Sequence, residues 1–142
     1  MLALVSHAGE DVLGCMLEAA RVPTDWQERH MAGVRAFLDY AAANPDLARV
    51  TLVEVVGAGP RALEHRDRML DAIAEGMYQD SEQAAQRGGS PRFQSKDDAY
   101  ACVGAIYELA SRHIRQGHPP QVRDLEPVID RLVLGVVSQS GR

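Results

Sequence analysis

Apolar residues recur every three or four positions along most of the chain, and a strict alternation of apolar and polar residues is never sustained. The first pattern is typical of amphipathic helices, whereas the second would indicate strands. Turn signals rich in Gly and Pro separate the periodic stretches, at Val22-Pro23, Gly57 to Pro60, Arg87 to Pro91 and Gly117 to Pro120. The sequence therefore predicts an all-α bundle of about six helices in a single domain, residues 1–142.

The turn signals define the expected helices, which run from about Ala3 to Ala20, from Thr24 to Ala43, from Pro45 to Val56, from Pro60 to about Gln86, from Lys96 to about Gln116 and from Arg123 to Ser138. Thr24, Asn44 and Ser95 are the expected N-caps, because their side chains accept hydrogen bonds from free backbone N–H groups. In the fourth helix, Leu63 and Leu70 are expected to face the core together with Ile73 and Met77.

The third predicted helix, Pro45 to Val56, is apolar on nearly every face, which is typical of a helix in the middle of a bundle. Glu54 lies inside its apolar run. A buried carboxylate needs a partner or a function, because an unpaired buried charge is costly. Two interpretations stay open: Glu54 lines a cavity beside Thr51, or it forms a buried salt bridge with an arginine such as Arg49 or Arg66.

Composition narrows the class of protein. A hydrophobic fraction of 46% and a charged fraction of 25% are those of a soluble globular domain, and no apolar run reaches the roughly 20 residues of a spanning helix. The first five residues lack the basic flank of a signal peptide, so a cytoplasmic protein is expected.

Cys15 and Cys102 stand apart, without metal-ligand spacing, and are expected to be small buried side chains. No cofactor is implied.

The net charge of −5 gives no electrostatic footprint for a phosphate backbone. We therefore expect this chain by itself to bind neither DNA nor RNA. A membrane partner is not expected either.

Several polar side chains interrupt apolar helix faces and are candidate ligand contacts. His30 lies one turn after Trp26 and one turn before Val34, so its imidazole projects from an apolar stripe. Tyr100 and Tyr107 project from nearby faces of the fifth helix. For each residue the alternative is a purely structural role in the core, and for Met16, Met69 and Met77 core packing is the preferred interpretation.

No nucleophile elbow, phosphate-binding loop or kinase signature is present, so the protein is not expected to be an enzyme. The alternative hypothesis is a small helical-bundle enzyme in which Glu54 and His30 act as acid and base in a dry pocket.

The last predicted helix has more apolar positions than one core stripe needs, so we expect it to cover its own core and also present an apolar strip to a second copy of the chain. The fifth helix has small residues that would allow close approach. The expected interface of the homodimer comprises Ala101, Gly104, Ala105, Leu125, Ile129, Leu132 and Val136. A dimerisation module without any cavity is a further alternative.

The residues from Trp26 to Pro60 carry a family resemblance. Asn44-Pro45, then Leu47-Ala48-Arg49 with Glu54, and Ala58-Gly59-Pro60 resemble the C-terminal effector-binding domain of TetR-type transcriptional repressors. Weaker similarity extends to the last helix, where Leu125, Val128 and Leu132 resemble the terminal dimerisation helix. The resemblance covers almost the whole chain.

The resemblance implies a small, mostly apolar effector bound between the middle helices. In that family an N-terminal helix-turn-helix precedes such a domain, and the effector moves the paired DNA-reading heads out of register with their half-sites. This sequence has no segment that resembles the helix-turn-helix. The residues expected to line the effector pocket are Phe37, Thr51, Glu54, Met69, Ile73, Tyr100 and Tyr107, with His30 and Trp26 as further contacts.

Overall fold

The computed structural model describes the backbone of residues 2–138 and the side chains of His7 and of residues 9–138. These residues form six α-helices: α1 (Leu2–Ala19), α2 (Trp26–Ala43), α3 (Pro45–Leu52), α4 (Pro60–Gly88), α5 (Lys96–Gln116) and α6 (Glu126–Ser138). Two short 3-10 helices, Glu54–Gly57 and Val122–Leu125, precede α4 and α6. No strand occurs in this part of the chain, so the prediction of an all-α protein with about six helices is confirmed.

Local capping explains most of the helix ends. Ser95 accepts a hydrogen bond from the backbone N–H of Asp98 at 3.2 Å, as predicted. The cap of α2 is Asp25, which accepts from the N–H of Glu28, and the prediction of Thr24 as the cap was one residue early. Gly89 and Gly117 close α4 and α5 in the left-handed conformation, which a residue without Cβ adopts at no steric cost.

The third helix differs most from its prediction. Helix α3 ends at Leu52, and the chain tightens into the 3-10 helix Glu54–Gly57. Asn44 caps nothing with its side chain, because its amide group donates instead to the carbonyl oxygen of Tyr40 at 3.0 Å. The predicted continuous helix from Pro45 to Val56 is therefore wrong, and the change of helical period alters which residue faces the core.

Most of the core lies where α2, α4, α5 and α6 meet. Helix α1 packs mainly on α2, α4 packs mainly on α5, and α3 bridges to α5. Helix α6 contributes Ile129, Val133 and Val137, which are spaced one turn apart and are nearly inaccessible. Phe93, which is fully buried, comes from the segment between α4 and α5.

Several predictions of burial are wrong. Leu63 is 37% exposed and does not face the core, although Leu70 does. Cys15 is exposed on α1, whereas Cys102 is buried. Leu125 and Ile129, predicted to form a dimer interface, belong to the core of the chain itself, with 2% and 0% of their surface exposed. The 3-10 helix before α6 places Leu125 inside, and Ile129 continues the same buried stripe.

Between residues 2 and 138, no helix combines the length and the apolar character needed to cross a membrane.

Candidate functional site

A cavity of about 460 Å³ lies between α1, α2 and α4, above a floor formed by α3 and α5. Such a volume is in the range of small-molecule sites, which are roughly 300–1,000 Å³. Four exposed residues of its lining, Leu17, Arg21, Ala72 and Gly76, show that it opens to the surface between α1 and α4. The rest of the wall is mainly aliphatic, aromatic and Met side chains. The cavity can therefore accept a mostly apolar molecule.

Seven of the nine side chains predicted to contact an effector line this one cavity: Trp26, His30, Phe37, Thr51, Met69, Ile73 and Tyr107. They come from α2, α3, α4 and α5, and up to 81 positions of sequence separate them. Met16 and Met77, expected to pack in the core, also belong to its wall. Flexible thioether side chains let such a wall adapt to different shapes.

Glu54 and Tyr100 do not line this cavity. Glu54 is exposed, because the 3-10 helix turns the neighbouring Val55 inward, where Val55 is fully buried against Ala62. Neither predicted role of Glu54 is found: Arg49 donates to the carbonyl oxygen of Ile114, and Thr51 donates to that of Leu47. Tyr100 lies instead at a shallow polar depression between α4 and α5.

The polar groups of the N-terminal half of α2 lie at one end of the cavity. Arg29 donates two hydrogen bonds to the carboxylate of Asp80 on α4, at 3.0 and 3.3 Å, and a third at 2.6 Å to the carbonyl oxygen of Thr24. Beside this ion pair, the rings of Trp26 and His30 stack. Because each charge of the pair faces its partner, the end of the cavity is polar without being strongly charged.

His30 is the most perturbed titratable group of the cavity. Burial lowers its pKa to about 4, against the opposing effect of the carboxylates of Asp130 and Asp80. The imidazole is therefore neutral at neutral pH and can both donate and accept a hydrogen bond. Its Nε2 atom is buried, and no described residue offers it a hydrogen-bond partner. An unpaired polar atom in such a place costs about 1–3 kcal/mol.

The opposite end of the cavity is closed by Tyr107. Its hydroxyl donates to the carbonyl oxygen of Thr51, which ties α5 to the last turn of α3. The guanidinium of Arg66 lies 4.6 Å from the centre of the Tyr107 ring, a cation–π contact. Burial raises the pKa of Tyr107, so the hydroxyl stays a donor at neutral pH. With its hydrogen already engaged, Tyr107 serves here as a wall.

Sequence reasoning missed three parts of the lining. The wall from α1 includes Val12, Leu13 and Met16, which share one apolar face of the helix. The sequence pattern shows this face, but it does not distinguish a face that lines a cavity from one that packs in the core. Arg29 and Asp80 were missed because they are 51 residues apart, and no local signal pairs them. Tyr40 also lines the cavity, one turn after Phe37.

The described residues contain no group of three or more metal-ligating side chains. His30 has a carboxylate neither as a hydrogen-bond partner nor as a salt-bridge partner among the residues described. No protein-family model, no curated protein and no solved structure matches this chain.

Proposed function

We propose that this chain is the ligand-sensing and dimerisation domain of a TetR-type transcriptional regulator, and that it binds a small, mostly apolar effector. The observation that carries the proposal is the apolar cavity of about 460 Å³, whose wall contains seven side chains chosen as effector contacts from the sequence. In a full-length repressor, binding of the effector would release DNA. The chain itself is acidic, with a net charge of −5, and would not bind DNA alone.

The two alternative functions have less support. An enzyme that uses Glu54 and His30 as acid and base needs both groups in one pocket, but Glu54 is exposed and does not line the cavity with His30. A dimerisation module without a cavity would have a pocket well below the usual size of ligand sites, and this cavity is within that size range.

The interface of the proposed homodimer consists of side chains on α5 and α6 that remain accessible to solvent. Val128 is 37% exposed on α6, and Leu132 and Val136, which also pack against the core, are partly exposed. On α5, Ala101 is exposed and Gly104 and Ala105 are partly exposed, so a second helix pair could approach closely. Leu125 and Ile129 are excluded from this interface, because each fills the core of its own protomer.

Binding of Nile red, a neutral dye that fluoresces in apolar surroundings, tests the cavity. We expect saturable binding by the purified chain. Gly76 lines the cavity, and a Cβ built there meets no atom within 4 Å, so Gly76→Leu should reduce the affinity at least about tenfold by filling space. Gly14→Leu is the matched control, since Gly14 lies on α1 in equally open surroundings but does not line the cavity.

The control separates occupation of the cavity from adsorption to the surface. If the dye binds without saturation, or if Gly76→Leu and Gly14→Leu bind it equally, the cavity is not the site and the proposed function fails.

A further inference from the structure

The cavity is elongated along α2. Its lining on this helix runs from Trp26 to Ala41, fifteen residue steps of about 1.5 Å, or roughly 22 Å. The lining on α4 likewise runs lengthwise, from Met69 to Asp80, over eleven such steps. The space is therefore a long slot, and it matches a chain-like molecule better than a compact one of equal volume.

The two ends of the slot differ in what they offer a ligand. At the Tyr107 end, the hydroxyl groups of Tyr107 and Thr51 are already engaged with backbone carbonyl oxygens. At the other end, neither ring nitrogen of His30 forms a hydrogen bond with a described residue. Tyr40 also lines the cavity without a hydrogen bond from its hydroxyl to a described residue, but it lies near the exposed Asp11 and Cys15 at the surface of α1. The buried unmet hydrogen-bonding capacity of the lining is therefore beside Trp26, in the first turns of α2.

The charged groups at the His30 end are already used. Arg29 is held by Asp80 and by the carbonyl oxygen of Thr24, so a ligand carboxylate would have to displace Asp80. A ligand ammonium group would have to displace Arg29 from the same pair. Arg21 is exposed at the rim, where its charge is hydrated. A neutral head group meets none of these costs, since it needs only a hydrogen-bond partner.

We infer that the ligand of this cavity is an elongated, uncharged amphiphile, an apolar chain with one hydroxyl, carbonyl or amide head group, and that it lies along α2 with its head hydrogen-bonded to His30. The inference rests on the proposed function, because it assumes that the cavity binds a ligand. It adds the shape of that ligand, its charge and its direction in the slot.

Four probes with the same number of carbon atoms test shape and charge separately: decanol, adamantanol, decanoic acid and decylamine. Trp26 is the single tryptophan of the chain and lines the relevant end, so its fluorescence reports binding directly. At neutral pH we expect decanol to bind at least about tenfold more tightly than each of the other three. Adamantanol keeps the hydroxyl but is round, whereas decanoate and decylammonium keep the chain but are charged.

Each outcome has a distinct meaning. If adamantanol equals decanol, the elongated class is wrong, and if decanoate or decylammonium binds more tightly, the neutral head is wrong. In both cases the cavity still binds ligands and the proposed function stands. If none of the probes binds and Nile red does not bind either, the proposed function itself fails.

Two variants test the role of His30. His30→Phe keeps an aromatic ring beside Trp26 but removes the hydrogen bond, and decanol should bind about tenfold more weakly. His30→Gln restores a neutral donor and acceptor and should recover most of that loss. His7→Phe, on an exposed position of α1, is the matched control and should not change the affinity. Equal decanol affinity of the wild-type chain and a folded His30→Phe variant would overturn the assignment of the head group.

Bromine quenching of tryptophan fluorescence tests the direction. A decanol brominated beside the hydroxyl should quench Trp26 at saturation far more than one brominated at its terminal carbon. The reverse order would mean that the chain lies in the slot with its head toward Tyr107, and the proposed direction would be wrong.

Discussion

The indole of Trp26 lies flat against the imidazole of His30, with ring centroids 5.8 Å apart and planes inclined by 12°. The two residues are one turn apart on α2, which brings their side chains together. The rings of Phe93 and Trp26 meet edge to face, with centroids 5.9 Å apart. The segment before α5 therefore supports Trp26, and Trp26 supports the His30 ring, which forms no hydrogen bond with a described residue.

Stability should fall as His30 is forced to take a proton. Its pKa is 6.5 when unperturbed and about 4 in the folded chain, so between these values the unfolded state binds the proton more strongly. The contribution is fully present above about pH 6.5 and is lost as the pH falls to about 4, on the order of 3 kcal/mol in all.

Urea unfolding of wild type and His30→Gln across this pH range measures the effect. The carboxylates of Asp130 and Asp80 near His30 are common to both chains. The free energies of unfolding of the two chains should therefore differ in pH dependence mainly because of the protonation of His30. Wild type should lose more stability on acidification. Parallel pH profiles would contradict the buried, neutral state of His30.

The Ser81 hydroxyl should matter more than its small size indicates. Ser81 is fully buried in α4, donates to the carbonyl oxygen of Tyr78 at 2.8 Å and accepts from the N–H of Phe93 at 3.3 Å. Ser81→Ala leaves that buried N–H unpaired, which should cost about 1–3 kcal/mol in the free energy of unfolding. Ser138→Ala is the matched control, because Ser138 also donates to a carbonyl oxygen three residues earlier but is exposed. Equal losses would contradict the account.

Glu54→Gln should change the free energy of unfolding by less than about 0.5 kcal/mol, because the side chain is exposed and forms no ion pair among the described residues. Val55→Ala, at the next position, removes fully buried methyl groups and should cost about 2 kcal/mol. Chemical denaturation of both variants checks this contrast. A large loss for Glu54→Gln with none for Val55→Ala would mean that the two side chains are reversed.

Leu132→Asp should convert the proposed dimer to monomer, since it places a charge in the apolar strip of Val128, Leu132 and Val136 on α6. Light scattering at micromolar concentration measures the mass. A stable monomer of the unmodified chain would remove the basis of this prediction. Arg131→Asp is the control, because it introduces the same side chain at an exposed neighbouring position of α6. It should lower the measured mass of a dimer less than Leu132→Asp does.

The helical class and most helix boundaries could be predicted, because they depend on information that lies close together in the sequence. Ser95 and the glycines at 89 and 117 end or begin helices through contacts within one turn. The apolar stripe of α2 likewise identified Trp26, His30 and Phe37 as residues that share one face. Local periodicity was sufficient for these positions.

The sequence by itself thus determined the six helices and the faces on which most cavity side chains lie. Only the tertiary structure decided which inward faces enclose empty space and which are packed solid, because that depends on how closely helices distant in sequence approach. The tertiary structure also determined the position of Glu54. The chain changes from α-helical to 3-10 winding after Leu52, which buries Val55 and exposes the Glu54 carboxylate. Burial at that site stabilises an apolar side chain but not a charged one. The pairing of Arg29 with Asp80 across 51 residues has the same origin, since two helices must pack side by side before these charges can meet.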